Sequence, residues 1–319
     1  MRTLPVATTL AAAILVVGCR HPLVAPASDT GWDGDCLAPM LPGTDRQIDL
    51  SLVPGGLFAM GSPEDQVGRL EEEVWHEVLL TEDICVQTTE VTRTQFSRLL
   101  HYDPEWHDDC EGEGCPVAWV SWHEAAAFTN ALSESLSLPG CYTCSGSEHR
   151  IRCQPPADPY SCRGYRLPTE AEWEHSARAG SGTAFANGGE LYEGDQHGCE
   201  SAVPLDNGTT VDDFAWYCGN SDLESHPVAS LAPNDWGLYD VSGNVWEWCN
   251  DWYDSEPVAA VDPNGPAVGS HRTARGGSWN GSAAGVRLAS RAGAYPGFRY
   301  ASLGFRVVRT ARPAAEPEL

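Results

Sequence analysis

The sequence predicts a single loop-rich domain in which short strands and helices pack around aromatic anchors. Glycine, proline and tryptophan are abundant, with 32, 23 and 12 copies among 319 residues, and this composition disfavours a helical bundle or a repetitive barrel. The hydrophobic fraction of 42% is sufficient for a real core. Residues 47–309 show no repeat of solenoid or propeller period and no internal linker long enough to divide them.

The net charge disfavours some classes of partner. The chain has 45 acidic and 19 basic residues, a formal net charge of −26. This charge opposes non-specific binding to nucleic acid and to anionic lipid surfaces. We therefore expect no nucleic-acid partner, and cationic ligands and divalent metals are the compatible ones.

The N-terminus has the features of an export signal. Arg2 precedes an apolar run over residues 7–18, which is too short to span a bilayer but suits a secretory signal. The run ends in Val-Val-Gly-Cys, which resembles a bacterial lipobox. We predict a lipoprotein signal peptide over residues 1–18 and lipidation of Cys19, which would attach the protein to a membrane of the bacterial cell envelope through its lipid alone. An ordinary cleaved signal peptide is the alternative.

The regions on either side of the domain differ from it in composition. Residues 19–45 are polar and contain proline, and we predict a flexible tether. Residues 310–319 are rich in Pro, Ala and Glu, which predicts a disordered tail. The domain itself is expected over residues 46–309.

Export makes disulfides permissible. Twelve cysteines less Cys19 leave eleven, so at least one stays unpaired or pairs with another chain. A CxxC motif in the insert 140–164 raises zinc as an alternative, which the oxidising compartment and the spacing of the next cysteines disfavour. The candidate disulfides are Cys141 with Cys162, Cys144 with Cys153, and Cys110 with Cys115. Sequence alone does not establish this pairing.

Local signals predict the first elements in order. Residues 48–62 alternate around a Pro-Gly turn, which predicts a β-hairpin that opens the domain. The following helix has Phe96 and two leucines on one face, with Thr92 or Thr94 as its N-cap. Ser121, followed by Glu124 three residues later, marks the next helix.

A second capping box predicts the third helix. Thr169 and Glu172 open the segment TEAEWEHSARAG, which ends at Gly180. Residues 181–235 are rich in Gly, Asp and Asn and are predicted to be mostly loop. Residues 304–308 predict the final strand.

The most distinctive stretch is WGLYDVSGNVWEWCNDWYD, residues 236–254. Its acids Asp240 and Glu247 lie seven residues apart, with Gly243 between them to allow a tight turn. Carboxylates and backbone carbonyls on one bent segment are ligands that hard cations prefer. The stretch therefore suggests a cation site, and the alternative is an aromatic core segment whose acids face water.

Seven motifs occur in one order along residues 48–309: MGS, EVT, VSWHEAAAF, GYRLPTEAEWEHSARAG, PNDWGLYDVSGNVWEW, RGGSW and GFRVVR. Together they resemble the sulfatase-modifying-factor family, whose founding member is the formylglycine-generating enzyme. The resemblance implies the fold of that enzyme, a single α+β domain that is C-type-lectin-like and has low regular secondary structure.

The resemblance also implies a structural calcium ion. In the formylglycine-generating enzyme, one side chain, two backbone carbonyls and a glutamate hold calcium in the corresponding segment. Residue by residue, these ligands become the side chains of Asp240 and Glu247 and the carbonyls of Gly243 and Val245. Asp240 stands where the enzyme has asparagine, and a carboxylate is the better ligand for a hard cation.

The copper site of the enzyme has no equivalent ligands here. Two cysteines after the GGS motif bind copper in that enzyme, because Cu(I) prefers soft thiolates. The first position falls on Gly281 and the second near Val286, and no cysteine follows Cys249. Copper is therefore not expected. Ser278 and Trp246 match residues that line the enzyme's active site, and they are the candidate cleft residues.

Other catalytic constellations find little support. Some relatives of the family bind non-haem iron, but the ten histidines here are scattered without metal-like i,i+4 spacing, so iron is not supported. His175, within the third helix, is expected to be a surface or packing residue. There is no GxSxG motif, and Ser278 has no obvious partner histidine for hydrolysis.

The arginines and aromatic residues near the cleft could have either a structural role or a ligand-binding role. Three arginines are notable in so acidic a chain: Arg275, Arg291 and Arg306. We expect bidentate pairing with buried carboxylates, with contact to an anionic or polar ligand as the alternative. Four aromatic residues pack in the core or stack on sugar rings or peptide side chains: Trp279, Tyr295, Phe298 and Tyr300.

The sequence thus predicts an exported lipoprotein whose sulfatase-modifying-factor-like domain is non-catalytic and binds a peptide or glycan in the ancestral cleft. The alternative from another class is a formylglycine-generating or related non-haem-metal oxidase with altered active-site chemistry. A structural envelope protein with an empty cleft is a third possibility.

Overall fold

The computed structural model describes Cys36 and residues 39–41, 48–104, 110–195 and 197–311. Its three α-helices are α1 (Arg93–Leu100), α2 (Trp122–Ser135) and α3 (Glu170–Arg178). The strands are β1 (Leu50–Val53), β2 (Gly56–Met60), β3 (His76–Leu80), β4 (Ile84–Gln87), β5 (Thr143–Ser145), β6 (Arg152–Gln154), β7 (Trp246–Trp252), β8 (Ala260–Val261), β9 (Arg272–Arg275), β10 (Arg291–Ala294), β11 (Leu303–Gly304) and β12 (Val308–Thr310).

The strands form four small sheets, with orders β1-β4-β12, β10-β9-β7-β11, β2-β3-β8 and β5-β6. Strand β7 is an inner strand of the four-stranded sheet, where it pairs antiparallel with β9 and parallel with β11. Long loops join these sheets. The mixture of short helices, short strands and loops confirms the predicted α+β class with low regular secondary structure.

Each α-helix begins with a capping box, in which the N-cap hydroxyl and the side chain three residues later bond each other's backbone N–H groups. The capping pairs are Thr92 with Gln95, Ser121 with Glu124, and Thr169 with Glu172. Helix α3 ends as Ala179 adopts a left-handed conformation before Gly180. Capping boxes predicted α2 and α3, whereas α1 was predicted from its apolar face, with Thr92 as one of two candidate N-caps. These local signals require no distant partner.

The predicted opening hairpin is wrong in its pairing, although both strands exist. Strand β1 pairs with β4, and β2 pairs with β3. The Pro-Gly link crosses the β3–β4 turn: Gly55 N donates to Asp83 Oδ1 at 2.7 Å, and a Cβ on Gly55 would lie 2.8 Å from the Leu80 carbonyl oxygen. This close approach directs the two strands into different sheets.

The predicted final strand over residues 304–308 is also wrong, because it is divided between two sheets. Strand β11 pairs with β7, whereas β12 pairs with β4. Between them Phe305 and Val307 are fully buried. Arg306, between these two residues, forms an ion pair with Glu247 of β7.

The largest hydrophobic core cluster surrounds helix α2 and strand β7. Trp122 and Trp248 are both fully buried there. Their indole groups donate to backbone carbonyls, Trp122 to Cys249 at 2.9 Å and Trp248 to Val120 at 3.0 Å. Tryptophans thus act as the aromatic anchors that the composition predicts, with their polar atoms satisfied.

The described residues of the predicted tether contact the domain. Cys36 forms a disulfide with Cys85, and Leu41 is 2% exposed in the main core. At the other end Thr310 belongs to β12 instead of the tail. The predicted signal peptide, Cys19 and residues 312–319 lie outside the described residues. No helix of the described chain is long and apolar enough to cross a membrane.

Candidate functional site

The loop after β9 brings together Gly281 and Val286, the positions that the resemblance compares with the copper-binding cysteines of the formylglycine-generating enzyme. Gly276 and Gly277 have φ of 96° and 75°, and a Cβ on Gly277 would lie 2.3 Å from the Gly285 carbonyl oxygen. The chain therefore turns back on itself here, which only glycine permits at such close approach. A Cβ on Gly281 would lie 3.9 Å from Val286 Cγ1. Gly281 and Val286 are therefore neighbours in the fold.

Thiols in the described part of the chain offer no substitute. Cys249 is its one free cysteine, and it is fully buried. Burial raises the pKa of this thiol well above its usual range. A buried thiol that resists ionisation is a poor metal ligand.

Ser278 is fully buried, and its hydroxyl donates to Asn280 Oδ1 at 2.8 Å. Among the described residues no histidine contacts this hydroxyl, so this part of the chain gives Ser278 no activating base. Trp246 lies at the start of β7 and is half-buried. Of the two candidate cleft residues, Trp246 therefore has a ring available for contact, whereas Ser278 supports the loop.

Three half-buried tryptophans, Trp216, Trp246 and Trp279, lie around the start of β7, and we call them the tryptophan cluster. Asn244 connects them, since its N–H donates to Trp216 O at 2.9 Å and its carbonyl accepts from Trp279 N at 2.8 Å. His226 stacks on Trp216 at 3.7 Å between ring centroids. The indole N–H groups of Trp216 and Trp279 are buried without a partner in the described structure.

An exposed aromatic strip lies on the segment that precedes β11. Neighbouring ring centroids are 5.2 Å apart for Tyr295 and Phe298 and 6.0 Å apart for Phe298 and Tyr300. The three side chains are 48%, 50% and 44% exposed, respectively. The strip approaches the tryptophan cluster because Trp246 N donates to Ser302 O. Core packing does not explain these three rings, whereas Trp279 is partly packed.

A cluster of buried carboxylates lies beneath the same stretch. Glu247 accepts two hydrogen bonds from Arg306, both 2.7 Å, and one from Trp173 Nε1 at 2.8 Å. Asp240 Oδ2 accepts from Ala229 N at 2.8 Å. These acids are buried, which excludes the alternative in which they face water.

Glu90, in the EVT motif, joins this cluster. It is fully buried, and no N–H group of the described structure bonds its carboxylate oxygens, whereas its carboxyl shares a side-chain hydrogen bond with that of Asp240. Burial, together with the charges of Asp240 and Glu247, raises the pKa of Glu90 well above its usual range. Burial likewise raises the pKa of Asp240. Among the described residues, Arg306 is the guanidinium that binds this cluster, through Glu247, and the raised pKa values of Glu90 and Asp240 favour neutral carboxyls there.

A cation bound at this cluster would favour the ionised carboxylates over the neutral carboxyls. The expected calcium ligands need two side chains and two carbonyls, and Asp240 and Glu247 lie on one segment with Gly243 and Val245 between them. Glu90 adds a third potential carboxylate. As they stand in the described residues, no three His, Cys, Asp or Glu side chains are grouped closely enough to hold a metal, and this includes Glu90, Asp240 and Glu247.

The three predicted arginines pair with buried carboxylates. Arg291 binds both oxygens of Glu170, at 2.7 and 2.6 Å. Arg275 contacts Glu174, and Arg306 holds Glu247. His175 is 8% exposed and contacts Pro54 O at 2.8 Å, so it is a packing residue.

Disulfides occur at all the predicted pairs: Cys141–Cys162, Cys144–Cys153 and Cys110–Cys115. The sequence did not identify Cys36–Cys85 or Cys199–Cys218, because their partners are 49 and 19 residues apart without a local signal. Glu90 and His226 were also missed as site residues. The EVT motif was a usable signal for Glu90, whereas nothing local marks His226.

Comparisons with known proteins identify similar sequences. Residues 41–311 match the sulfatase-modifying factor enzyme 1-like domain. The formylglycine-generating enzyme of Mus musculus is 35% identical over 342 aligned positions, covering 94% of this chain and 87% of that protein. The enzyme of the same name from Streptomyces coelicolor is 39% identical over 158 residues, 46% of this chain and 48% of that protein. The chain therefore spans about half the length of some curated relatives that it matches.

Solved structures show the same fold. Treponema denticola variable protein 1 has a TM-score of 0.68 and 27% identity, covering 86% of this chain and 98% of that chain. PvdO from Pseudomonas aeruginosa has a TM-score of 0.64 and 23% identity, covering 87% of this chain and 99% of that one. Because the domain match covers most of the sequence and the folds agree, the chain belongs to the sulfatase-modifying factor enzyme 1-like family.

Proposed function

We propose that this domain is a non-catalytic member of its family that binds a peptide or glycan at the tryptophan cluster and the aromatic strip. One observation carries the proposal: Gly281, and a position near Val286, stand where the resemblance expects the copper-binding cysteines, and neither glycine nor valine can bind Cu(I). The scaffold of the former active site persists while its metal ligands do not.

The surface around this site suits such a ligand. Trp246 and Trp279 offer half-buried indoles, and Tyr295, Phe298 and Tyr300 offer exposed rings. Flat aromatic faces stack on sugar rings and on apolar or cationic peptide side chains. The net charge of −26 favours ligands that are neutral or cationic.

Binding measurements test this proposal. Fluorescence anisotropy with labelled oligosaccharides and with labelled peptides should show saturable binding that Phe298→Ala weakens about tenfold, since one stacked ring contributes roughly 1 kcal/mol or more. Trp75→Ala is the matched control, because Trp75 is 58% exposed and lies outside both surfaces. Equal binding by the Phe298 and Trp75 variants would reject the site.

Calcium is proposed as a structural ion in this domain. Asp240 and Glu247 would supply carboxylates, and Gly243 and Val245 would supply carbonyl oxygens, so that the ion neutralises the buried cluster that includes Glu90. When bound, calcium supplies charge compensation and rigidity to the loops, and no redox chemistry. Chelation should therefore lower the melting temperature of the wild type but not of Asp240→Ala. A wild-type melting temperature that chelation leaves unchanged would contradict the calcium proposal.

We further propose that the protein is an exported lipoprotein anchored through Cys19. This proposal rests on the apolar run and its Gly-Cys end. Mass spectrometry of the mature N-terminus should show a diacylglyceryl modification on Cys19 that Cys19→Ser removes. Cleavage at another residue with an unmodified N-terminus would contradict the anchor and favour an ordinary signal peptide.

The competing function is that of a metal-dependent oxidase with altered ligands. Metal analysis of protein purified without chelator separates the two functions. Calcium without stoichiometric copper or iron supports the binding domain. One equivalent of copper or iron, lost when an active-site residue is changed, would favour the oxidase.

A further inference from the structure

A cavity lies at the end of β7 opposite to the tryptophan cluster. It has a volume of about 550 Å³, and Arg272 and Trp252 form part of its wall. Trp246 and Trp252 are six residues apart along β7, which corresponds to roughly 20 Å in a strand. The other lining residues are Gln154, Pro155, Pro156, Ala157, Asn250 and residues 264–269. This cavity is therefore separate from the surface proposed above.

Arg272 is unusual among the buried arginines. It is 2% exposed, yet no carboxylate in the described structure lies within ion-pair distance of its guanidinium. Each of the other buried arginines in the described chain has such a partner: Arg166, Arg178, Arg275, Arg287, Arg291 and Arg306. A buried cation without a counter-ion is energetically unfavourable.

Two tryptophans hold the guanidinium in a fixed plane. Its central carbon lies 3.5 Å from the ring centroid of Trp252 and 4.0 Å from that of Trp122. Nη1 donates to the Asn250 carbonyl. Cation–π contacts stabilise the charge, but they leave the hydrogen-bonding edges of the fork available.

One edge of that fork has no protein partner. Nε of Arg272 is buried without a hydrogen bond to any described residue, and no described group bonds Nη2. In Arg291 and Arg306 the same Nε/Nη2 edge binds both oxygens of a glutamate. Arg272 therefore presents the arrangement that this protein uses elsewhere for carboxylates, without the carboxylate.

The neighbouring acid does not replace the missing partner. Asp251 Oδ2 accepts the backbone N–H of Glu170 at 2.9 Å. Burial, followed by the charge of Glu170, raises the pKa of Asp251 well above its usual range, which favours a neutral carboxyl. Arg272 thus keeps an uncompensated positive charge in an otherwise acidic protein.

We propose that Arg272 and Trp252 form a binding site for a carboxylate carried on a small apolar body. The guanidinium would bind the carboxylate as a bidentate pair, and the wall of prolines, Val268 and Trp252 would contact the apolar part. A free organic acid and the C-terminus of a peptide share this chemistry.

Calorimetric titration with matched probes tests the site. N-acetylphenylalanine and benzoate should bind saturably, and N-acetylphenylalaninamide should bind at least about tenfold more weakly, because it lacks the charge-assisted hydrogen bonds. The tighter of the two acids identifies whether a chain terminus or a free acid is preferred. Equal binding of acid and amide, or no saturable binding of either acid, would overturn the proposal.

Variants locate the binding. Arg272→Met should weaken acid binding by roughly 10- to 100-fold. Because this change could disturb folding, Val268→Glu provides a second test: Val268 is 82% exposed and lines the cavity, so the new carboxylate should compete with the ligand. Val258→Glu is the matched control, being 73% exposed and outside this cavity. If Val268→Glu and Val258→Glu changed the affinity for the acids equally, the assignment of the site would be overturned.

Discussion

Replacing Arg306 with methionine probes the buried carboxylate cluster on which the calcium proposal depends. Arg306 is 2% exposed and is the one guanidinium that binds Glu247, through two hydrogen bonds of 2.7 Å. Methionine keeps much of the apolar volume but removes the charge. Glu247 then retains Trp173 Nε1 as its remaining donor among those described, with Glu90 and Asp240 nearby.

The expected loss is large because a charge is left unpaired. Removing one partner of a buried ion pair destabilises a protein by about 3–5 kcal/mol. For a domain of this size each kcal/mol lowers the melting temperature by roughly 2–4 °C. Calorimetry in the presence of chelator should therefore show a melting temperature roughly 6–20 °C below that of the wild type. Calcium should restore part of the difference by neutralising the stranded carboxylates.

Arg299→Met is the matched control. Arg299 also pairs with a glutamate, Glu124, but its side chain is 25% exposed, so we expect a loss of about 1 kcal/mol or less. Adding Glu247→Leu to Arg306→Met should recover stability, because the double variant removes the stranded carboxylate. Equal destabilisation by Arg306→Met and Arg299→Met would refute the argument.

The folded protein lowers the pKa of His123 to about 4, from 6.5, through burial and nearby arginines. The wild type should therefore lose stability relative to His123→Asn as pH falls from 6.5 to 4, and parallel melting-temperature curves would contradict this. The double variant Gly281→Cys/Val286→Cys should retain one equivalent of Cu(I) by metal analysis, whereas neither single variant should. Cys249, fully buried with a raised pKa, should react with a thiol reagent only after unfolding. Rapid labelling of native protein would contradict that burial.

Features with local causes were predictable from the sequence. The three helix starts follow from capping boxes such as Thr169 with Glu172, whose partners are three residues apart. The insert disulfides follow from closely spaced cysteines, as with Cys144 and Cys153. In both cases the interacting groups are neighbours along the chain, so no knowledge of the tertiary fold is needed.

Features that depend on distant partners were not predictable. The hairpin prediction for residues 48–62 failed because β1 and β2 find different partners across the β3–β4 turn. The single final strand failed because burial of Phe305 and the Arg306 ion pair interrupt it. Alternation identifies a strand, but the choice of partner is set by contacts far along the chain.

The candidate site shows the same division. Asp240 and Glu247 were identified because they share one segment with the glycine between them. Glu90, which lies 150 residues before Asp240 in sequence, enters the cluster only through folding. Arg272 carries no sequence signal as a site residue, because its surroundings depend on Trp122 and Trp252, which are distant in sequence and both contact its guanidinium.

The absence of copper-dependent cysteine oxidation is tested most directly by attempting that reaction. Purified protein should be incubated with Cu(I), oxygen and a cysteine-containing sulfatase peptide, with the Streptomyces coelicolor formylglycine-generating enzyme as the positive control, and the peptide mass measured. We expect the peptide cysteine to stay unchanged with this protein, because Gly281 and Val286 provide no thiolate. Conversion of that cysteine to the aldehyde would contradict this expectation.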